Sequence, residues 1–205
     1  SVNGLAIGVT AAGDVAKDRI AYRSGAKPND LICLSGDLGA AYMGLHLLER
    51  EKRACGGQPD PKPKFEGHEY ILGRQLKPEA RTDIIERLAE AGIVPTSMID
   101  ITDGLASETL HLCKSSGCGA RIYLDRLPIA RQTHDMAEEL HADPVVAALN
   151  GGQDYELLFT VPLSKQQEIF ALGVDVIGHV TAAGTGAMLV TPDGSEIALK
   201  APGWK

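Results

Sequence analysis

Ser97-Met98-Ile99-Asp100-Ile101-Thr102-Asp103-Gly104-Leu105 runs from an apolar, strand-like stretch into a helical pattern and leaves two carboxylates at the junction. The same succession of strand, polar turn and helix recurs on both sides of it. Upstream, Leu31-Ile32-Cys33-Leu34 is a short apolar strand stopped by Ser35-Gly36-Asp37-Leu38-Gly39. A helical pattern follows through Leu45, Leu47 and Leu48 to a charged end at 49–53. Residues 56–64 are rich in proline and glycine and read as an exposed loop. A polar helix is expected over 66–75, and another over 78–91, opening on Pro78 and stopping at Gly92. Residues 93–101 read as a strand and 104–114 as the helix behind it. Beyond these come a strand at 120–124, short helices at 133–140 and 144–149, a strand at 155–161 and a helix at 165–172. The tail reads as short strands around a Pro192-Asp193-Gly194 turn, and Leu5-Ala6-Ile7-Gly8-Val9-Thr10 alternates like a further strand. Strands and helices that alternate without strict period predict an α/β (α+β) fold of sheet and helices.

Composition removes several classes of function. Lys and Arg number 20 against 27 Asp and Glu, a net charge of −7. Such a chain lacks the clustered positive charge that nucleic acid and anionic membranes require. Aromatic residues at 4% leave little for a base-stacking platform. The four cysteines, Cys33, Cys55, Cys113 and Cys118, form no C-x-x-C pair, so neither a structural zinc site nor a disulfide framework is expected. A reduced, cytoplasmic setting follows as the default. No apolar stretch approaches the ~18 residues that span a bilayer. The histidines form no triad with a serine or cysteine that spacing can reveal. Glycine, at 23 of 205 residues, exceeds the usual ~7% and asks for tight turns or close backbone approach to a ligand.

Three segments carry candidate chemistry. Asp100 and Asp103 offer hard oxygen ligands at a strand-to-helix junction, which suits Mg²⁺ bound by one or two carboxylates plus substrate phosphates. The same residues suit a second reading, in which Thr102 or Asp103 caps the helix beginning near Leu105. Asn150-Gly151-Gly152-Gln153-Asp154-Tyr155-Glu156 joins paired glycines to a polar cluster before a buried strand, as a ligand-approaching loop or as a plain turn. Arg23, beside the Gly25 turn, has the fork of donors that clamps phosphate, although a basic residue at a turn is commonly just solvated.

In order along the chain, RSGAKPND, SGDLG, RQLKPEAR, SMIDITDGL, GCGARIYLDRLPI, LNGGQDYELLFTVP and GWK resemble thiamine-monophosphate kinase, of the aminoimidazole ribonucleotide synthetase superfamily. The resemblance runs from about residue 21 to residue 205, and SMIDITDGL and GGQDYELLF are its most specific parts. It implies a mixed β-sheet flanked by helices, the C-terminal domain of the synthetase-like fold. Residues 1–20 would be the last strand and linker of an N-terminal ATP- and Mg-binding domain, and 21–205 the C-terminal domain. It implies an ATP-dependent, Mg²⁺-assisted kinase making thiamine diphosphate, acting as a homodimer through the N-terminal domain. By motif, Arg23 and Thr102 would contact ATP, Asp100 and Asp103 would bind Mg²⁺, and Gln153 and Trp204 would contact thiamine monophosphate. Two departures from the family pattern stand out: Gln153 replaces the usual Glu, and Lys77-Pro78-Glu79-Ala80-Arg81 lacks the usual second proline; Thr102 stands where Ser is common. Two alternatives remain: a non-catalytic binding or assembly domain, and a relative such as selenophosphate synthetase or a hydrogenase-maturation dehydratase.

Overall fold

A computed structural model describes residues 7–56 and 62–201. Among these residues seven strands form one mixed sheet: β1 (Leu31–Leu34), β2 (Ser97–Asp100), β3 (Gly119–Tyr123), β4 (Leu157–Val161), β5 (Asp175–Thr181), β6 (Ala187–Val190) and β7 (Glu196–Ala198). Their spatial order is β2-β4-β1-β5-β3-β6-β7. Only β3 and β6 pair in parallel; every other neighbouring pair is antiparallel. Seven helices accompany them: α1 (Ala40–Cys55), α2 (Glu69–Leu76), α3 (Thr82–Glu90), α4 (Leu105–Ser116), α5 (Arg131–Glu139), α6 (Pro144–Asn150) and α7 (Gln166–Ala171). This is the mixed sheet flanked by helices that the resemblance implied.

Strand periodicity divides the core between the two faces of the sheet. In β1, Ile32 and Leu34 join Leu158 of β4 on the face covered by Leu105 and Leu112 of α4 and by Ala148 and Leu149 of α6. Leu31 and Cys33 join Phe159 and Val161 on the other face, under Ile84 and Leu88 of α3 and Ile169 of α7. β1 is therefore apolar at every position and β4 at every position but the buried, hydrogen-bonded Thr160, as suits strands covered on two faces. A third cluster, with Met43 and Leu47 of α1, Ile71 of α2 and Met136 of α5, meets the sheet layer through α6, whose Ala147 belongs to it. Among the described residues no helix is long and apolar enough to cross a membrane.

Among the boundaries that differ from expectation, three have a direct structural reason. The helix expected from Pro78 begins only at Thr82, because Thr82 N–H bonds back to the Ala80 carbonyl (2.8 Å) and Arg81 is drawn out of the helix toward Ser35. The strand expected over 93–101 narrows to Ser97–Asp100, since Ile93 N–H closes onto Leu88 O (2.9 Å) behind α3 and Pro95 has no N–H to give a ladder. Residues 7–10 form no strand, and Ile7 and Val9 are 78% and 89% exposed; alternation without a partner edge makes no ladder. Leu5 and Ala6 of that stretch lie outside the described residues.

Phe159 is wholly buried at the centre of the α3–α7 face. Phe159→Ala is expected to cost about 3–5 kcal/mol of unfolding free energy, read as a lowered urea midpoint with little change in slope.

Candidate functional site

The registers Asp100↔Leu157 and Leu34↔Leu158 bring the end of β2, the start of β4 and the end of β1 to one margin of the sheet. The two most specific sequence motifs meet there. Ile101 N–H donates to Glu156 O (2.8 Å), Tyr155 N–H to Ile101 O (3.0 Å) and Gln153 N–H to Thr102 O (2.7 Å), extending the β2–β4 pairing into the loops. Gly152 closes this junction at φ 71°, against the Thr102 carbonyl, where any β-carbon would collide. Gln153 and Tyr155 also hold left-handed backbone, at φ 61° and 54°, a conformation that costs energy in residues other than glycine and collects at functional sites.

Asp100 and Asp103 are exposed at this margin, and Thr102 between them is half-buried. The Thr102 hydroxyl donates to Asp100 Oδ2 (2.7 Å). Neither Thr102 nor Asp103 caps α4: Gly104 is the N-cap residue, no side chain caps it, and Asp103 N–H is satisfied by Glu108 Oε1 (2.9 Å) from inside the helix. The capping alternative for these acids is therefore not realised, and among the described residues no side chain bonds the Asp103 carboxylate. Among those residues, no three His, Cys, Asp or Glu side chains form a metal cage. Two exposed carboxylates beside an open margin nevertheless fit Mg²⁺, which keeps water and phosphate in most of its positions.

Gln153 is half-buried and shares this margin with Asp100, Thr102 and Asp103. Arg23 does not join them closely. Met98 N–H donates to Tyr22 O (2.8 Å) and Gly25 rests against the Thr96 carbonyl, so the chain runs antiparallel past β2 and leaves Arg23 exposed beside its first half. Trp204 lies outside the described residues.

A buried ionic cluster behind the margin was not anticipated from sequence. Glu156, 2% exposed, takes Arg74 Nη1 on Oε1 (2.8 Å) and both Arg81 Nη1 and the Ser35 hydroxyl on Oε2. Arg81 also donates to Ser35 O (2.7 Å) and forks onto both oxygens of Asp83 (2.9 Å each). Gly36 admits this cluster, since a β-carbon there would stand 2.7 Å from both Arg81 and Glu156. Asp154, 3% exposed, accepts the N–H groups of Gly39 (2.9 Å) and Ala41 (3.3 Å) where α1 begins. The available signal was RQLKPEAR, with an arginine at each end, facing two acids at alternate positions of DYE. A cleft of about 640 Å³ opens beside the cluster, between α2 and residues 77–82, and Arg74, Arg81 and Glu156 form part of its wall.

Burial raises the Asp154 carboxyl to about 6, against the opposing pull of Gly39 N–H, Arg74 and Ala41 N–H. The folded chain then holds this proton where the unfolded chain has released it. Its contribution to stability is present below about pH 4 and is lost as pH rises through 6. Asp154→Asn should flatten that segment of the unfolding free energy against pH; a curve as steep as the parent's would count against this assignment.

Residues 27–191 match the family described as AIR synthase related protein, C-terminal domain. The thiamine-monophosphate kinase of Escherichia coli (strain K12) is 36% identical over 202 residues, which cover 94% of this chain and 56% of that protein. AaThiL complexed with AMPPCP and TMP is similar in structure, with a TM-score of 0.72 at 32% identity, over 91% of this chain and 54% of that one. Hydrogenase maturation protein HypE in complex with ATP matches with a TM-score of 0.70 at 15% identity, over 94% of this chain and 56% of its own, a likeness of fold alone. The chain spans about half the length of the curated relatives it matches. The matched span contains the Asp100–Asp103 junction, the Gly152–Glu156 loop and both arginines behind them, with Arg23 and Trp204 beyond its limits, and on that match the chain belongs to the AIR synthase related C-terminal domain family.

Proposed function

We propose that this chain is the C-terminal part of an enzyme that phosphorylates thiamine monophosphate with ATP to give thiamine diphosphate. One juxtaposition carries the reading: the backbone bonds of Gln153 and Tyr155 to Thr102 and Ile101 set an exposed carboxylate pair beside a strained polar loop. The similarity to thiamine-monophosphate kinases, one of them complexed with AMPPCP and TMP, supports it. In this reading residues 1–20 lead from an N-terminal domain that completes the nucleotide site and forms a homodimer, in a cytoplasmic enzyme.

Each side chain then has a role that its position allows. Asp100 and Asp103 would hold Mg²⁺, with Thr102 orienting Asp100 through its hydroxyl and reaching ATP. Bound there, the ion neutralises charge on the phosphates. Arg23, exposed along the β2 edge, would contact ATP. Gln153 would meet thiamine monophosphate from the loop, with Trp204 as its aromatic partner. A phosphate oxygen of thiamine monophosphate attacks the γ-phosphorus of ATP, the bond to the β-phosphate oxygen breaks, and ADP leaves. The acceptor is already an anion, so positioning and charge neutralisation matter more than a strong base.

In the full-length protein, ADP formation should depend on added thiamine monophosphate, and Asp100→Asn or Asp103→Asn should each lower kcat/KM about a hundredfold or more. Nucleotide turnover indifferent to thiamine monophosphate would rule the reading out. Gln153→Glu supplies a charge opposite the cationic thiazolium and should lower KM for thiamine monophosphate about fivefold, the effect of ~1 kcal/mol from a partly exposed ion pair. An unchanged KM would show that residue 153 does not meet the cation.

A further inference from the structure

Gln153 and Tyr155 face the margin that carries Asp100 and Asp103, while the residues alternating with them, Asp154 and Glu156, are buried behind it. The loop's left-handed backbone is thus held from behind, by contacts that touch no substrate position. We propose that Arg81 is a positioning residue for the thiamine-phosphate contact, acting through Glu156 on the backbone of the 152–155 loop; the substrate part of this proposal rests on the kinase reading above.

Three observations single out Arg81. It binds the same Glu156 oxygen as the Ser35 hydroxyl, and that hydroxyl accepts Leu157 N–H (2.8 Å), so the start of β4 is clamped on side chain and backbone together. Its guanidinium is itself fixed by the two-pronged bond to Asp83, which makes it a prearranged clamp instead of a mobile counter-ion. Arg74 also binds Glu156, yet it donates as well to the backbone carbonyls of Asp37 and Asp154, so its loss would disturb α2 and the loop at once. Arg81 makes no bond to residues 152–155 themselves; it acts on them through Glu156, and its one backbone contact is the Ser35 carbonyl at the end of β1. It also lines the open cleft, so its removal leaves space that a small guanidinium ion can enter from solvent.

The test uses the full-length protein with Arg81→Ala, Gln153→Ala and the double variant, following steady-state kinetics and amide hydrogen exchange. Arg81→Ala is expected to raise KM for thiamine monophosphate about tenfold while kcat changes less than about twofold, with ethylguanidinium restoring part of the loss. The double variant should be no worse than the more affected single variant, because both remove the same contact. Exchange at the Gln153 and Tyr155 amides should accelerate in Arg81→Ala with or without substrate. Arg81→Lys keeps the charge without the fork and is read the same way should the alanine variant fail to fold. Additive effects on KM, or unchanged exchange at those two amides, would overturn the positioning role. If the parent protein shows no turnover dependent on thiamine monophosphate, the kinase reading falls and takes the substrate part of this proposal with it, whereas the exchange result still decides whether Arg81 sets the loop.

Discussion

A carboxylate at 2% exposure stands only if other groups replace the water it has lost, and Glu156 has two arginines and a serine hydroxyl for the purpose. Removing one partner of such a buried group typically costs about 3–5 kcal/mol, because the remaining charge is left uncompensated. The partners of Glu156 come from α2, from the entry to α3 and from the end of β1. One side chain therefore ties two helices to two adjacent strands at a single margin of the sheet. The arrangement has a visible cost: among the described residues the buried Arg74 Nε has no hydrogen-bond partner.

The adjoining 152–155 loop would not keep its shape from local preference. Left-handed backbone at Gln153 and Tyr155 costs on the order of 1 kcal/mol or more at each residue, and persists only where surroundings over-determine it. Asp154 supplies one restraint by taking the first N–H groups of α1, and Glu156 supplies the next through the ion cluster. The backbone bonds to Ile101 and Thr102 then carry the same constraint across to the Asp100–Asp103 junction. Buried acids fix the chain, and exposed acids three residues apart on the neighbouring strand end remain accessible to a ligand.

Much of this was legible in the amino-acid sequence, and what was not has a common cause. Local signals place the strand at Leu31–Leu34, β3 to within one residue, and the helices α1 and α4, since apolar runs, glycine stops and helical spacing act over a few residues. Boundaries shifted where a distant partner intervened. Pro78 looks like a helix start by itself, yet Arg81 is taken by Glu156, 75 positions away, and the helix waits until Thr82. Tyr155 continues an apolar strand pattern, yet its left-handed backbone delays β4 to Leu157. The candidate site shows the same division. Asp100, Thr102 and Asp103 are recognisable because their chemistry is local to one strand end. Arg74 and Arg81 look like ordinary surface basic residues until the fold sets them around Glu156.

The charge balance of the chain acquires a structural meaning from the same comparison. A surplus of acids, 27 against 20 bases, would ordinarily be spread over the surface for solubility. Here Asp154 and Glu156 lie inside, and each is matched by N–H donors or guanidinium groups, so neither contributes an open negative site. Asp100 and Asp103 stand on the outer side of the same junction, with no basic side chain set against them among the described residues. A cation arriving at this margin therefore meets two unneutralised carboxylates, while the loop beside them is held in place by acids whose charge is already engaged. Placing the paired acids inside and the unpaired acids outside lets one short stretch of chain be held rigid while two carboxylates stay open, the arrangement that the proposed phosphoryl transfer by positioning would require.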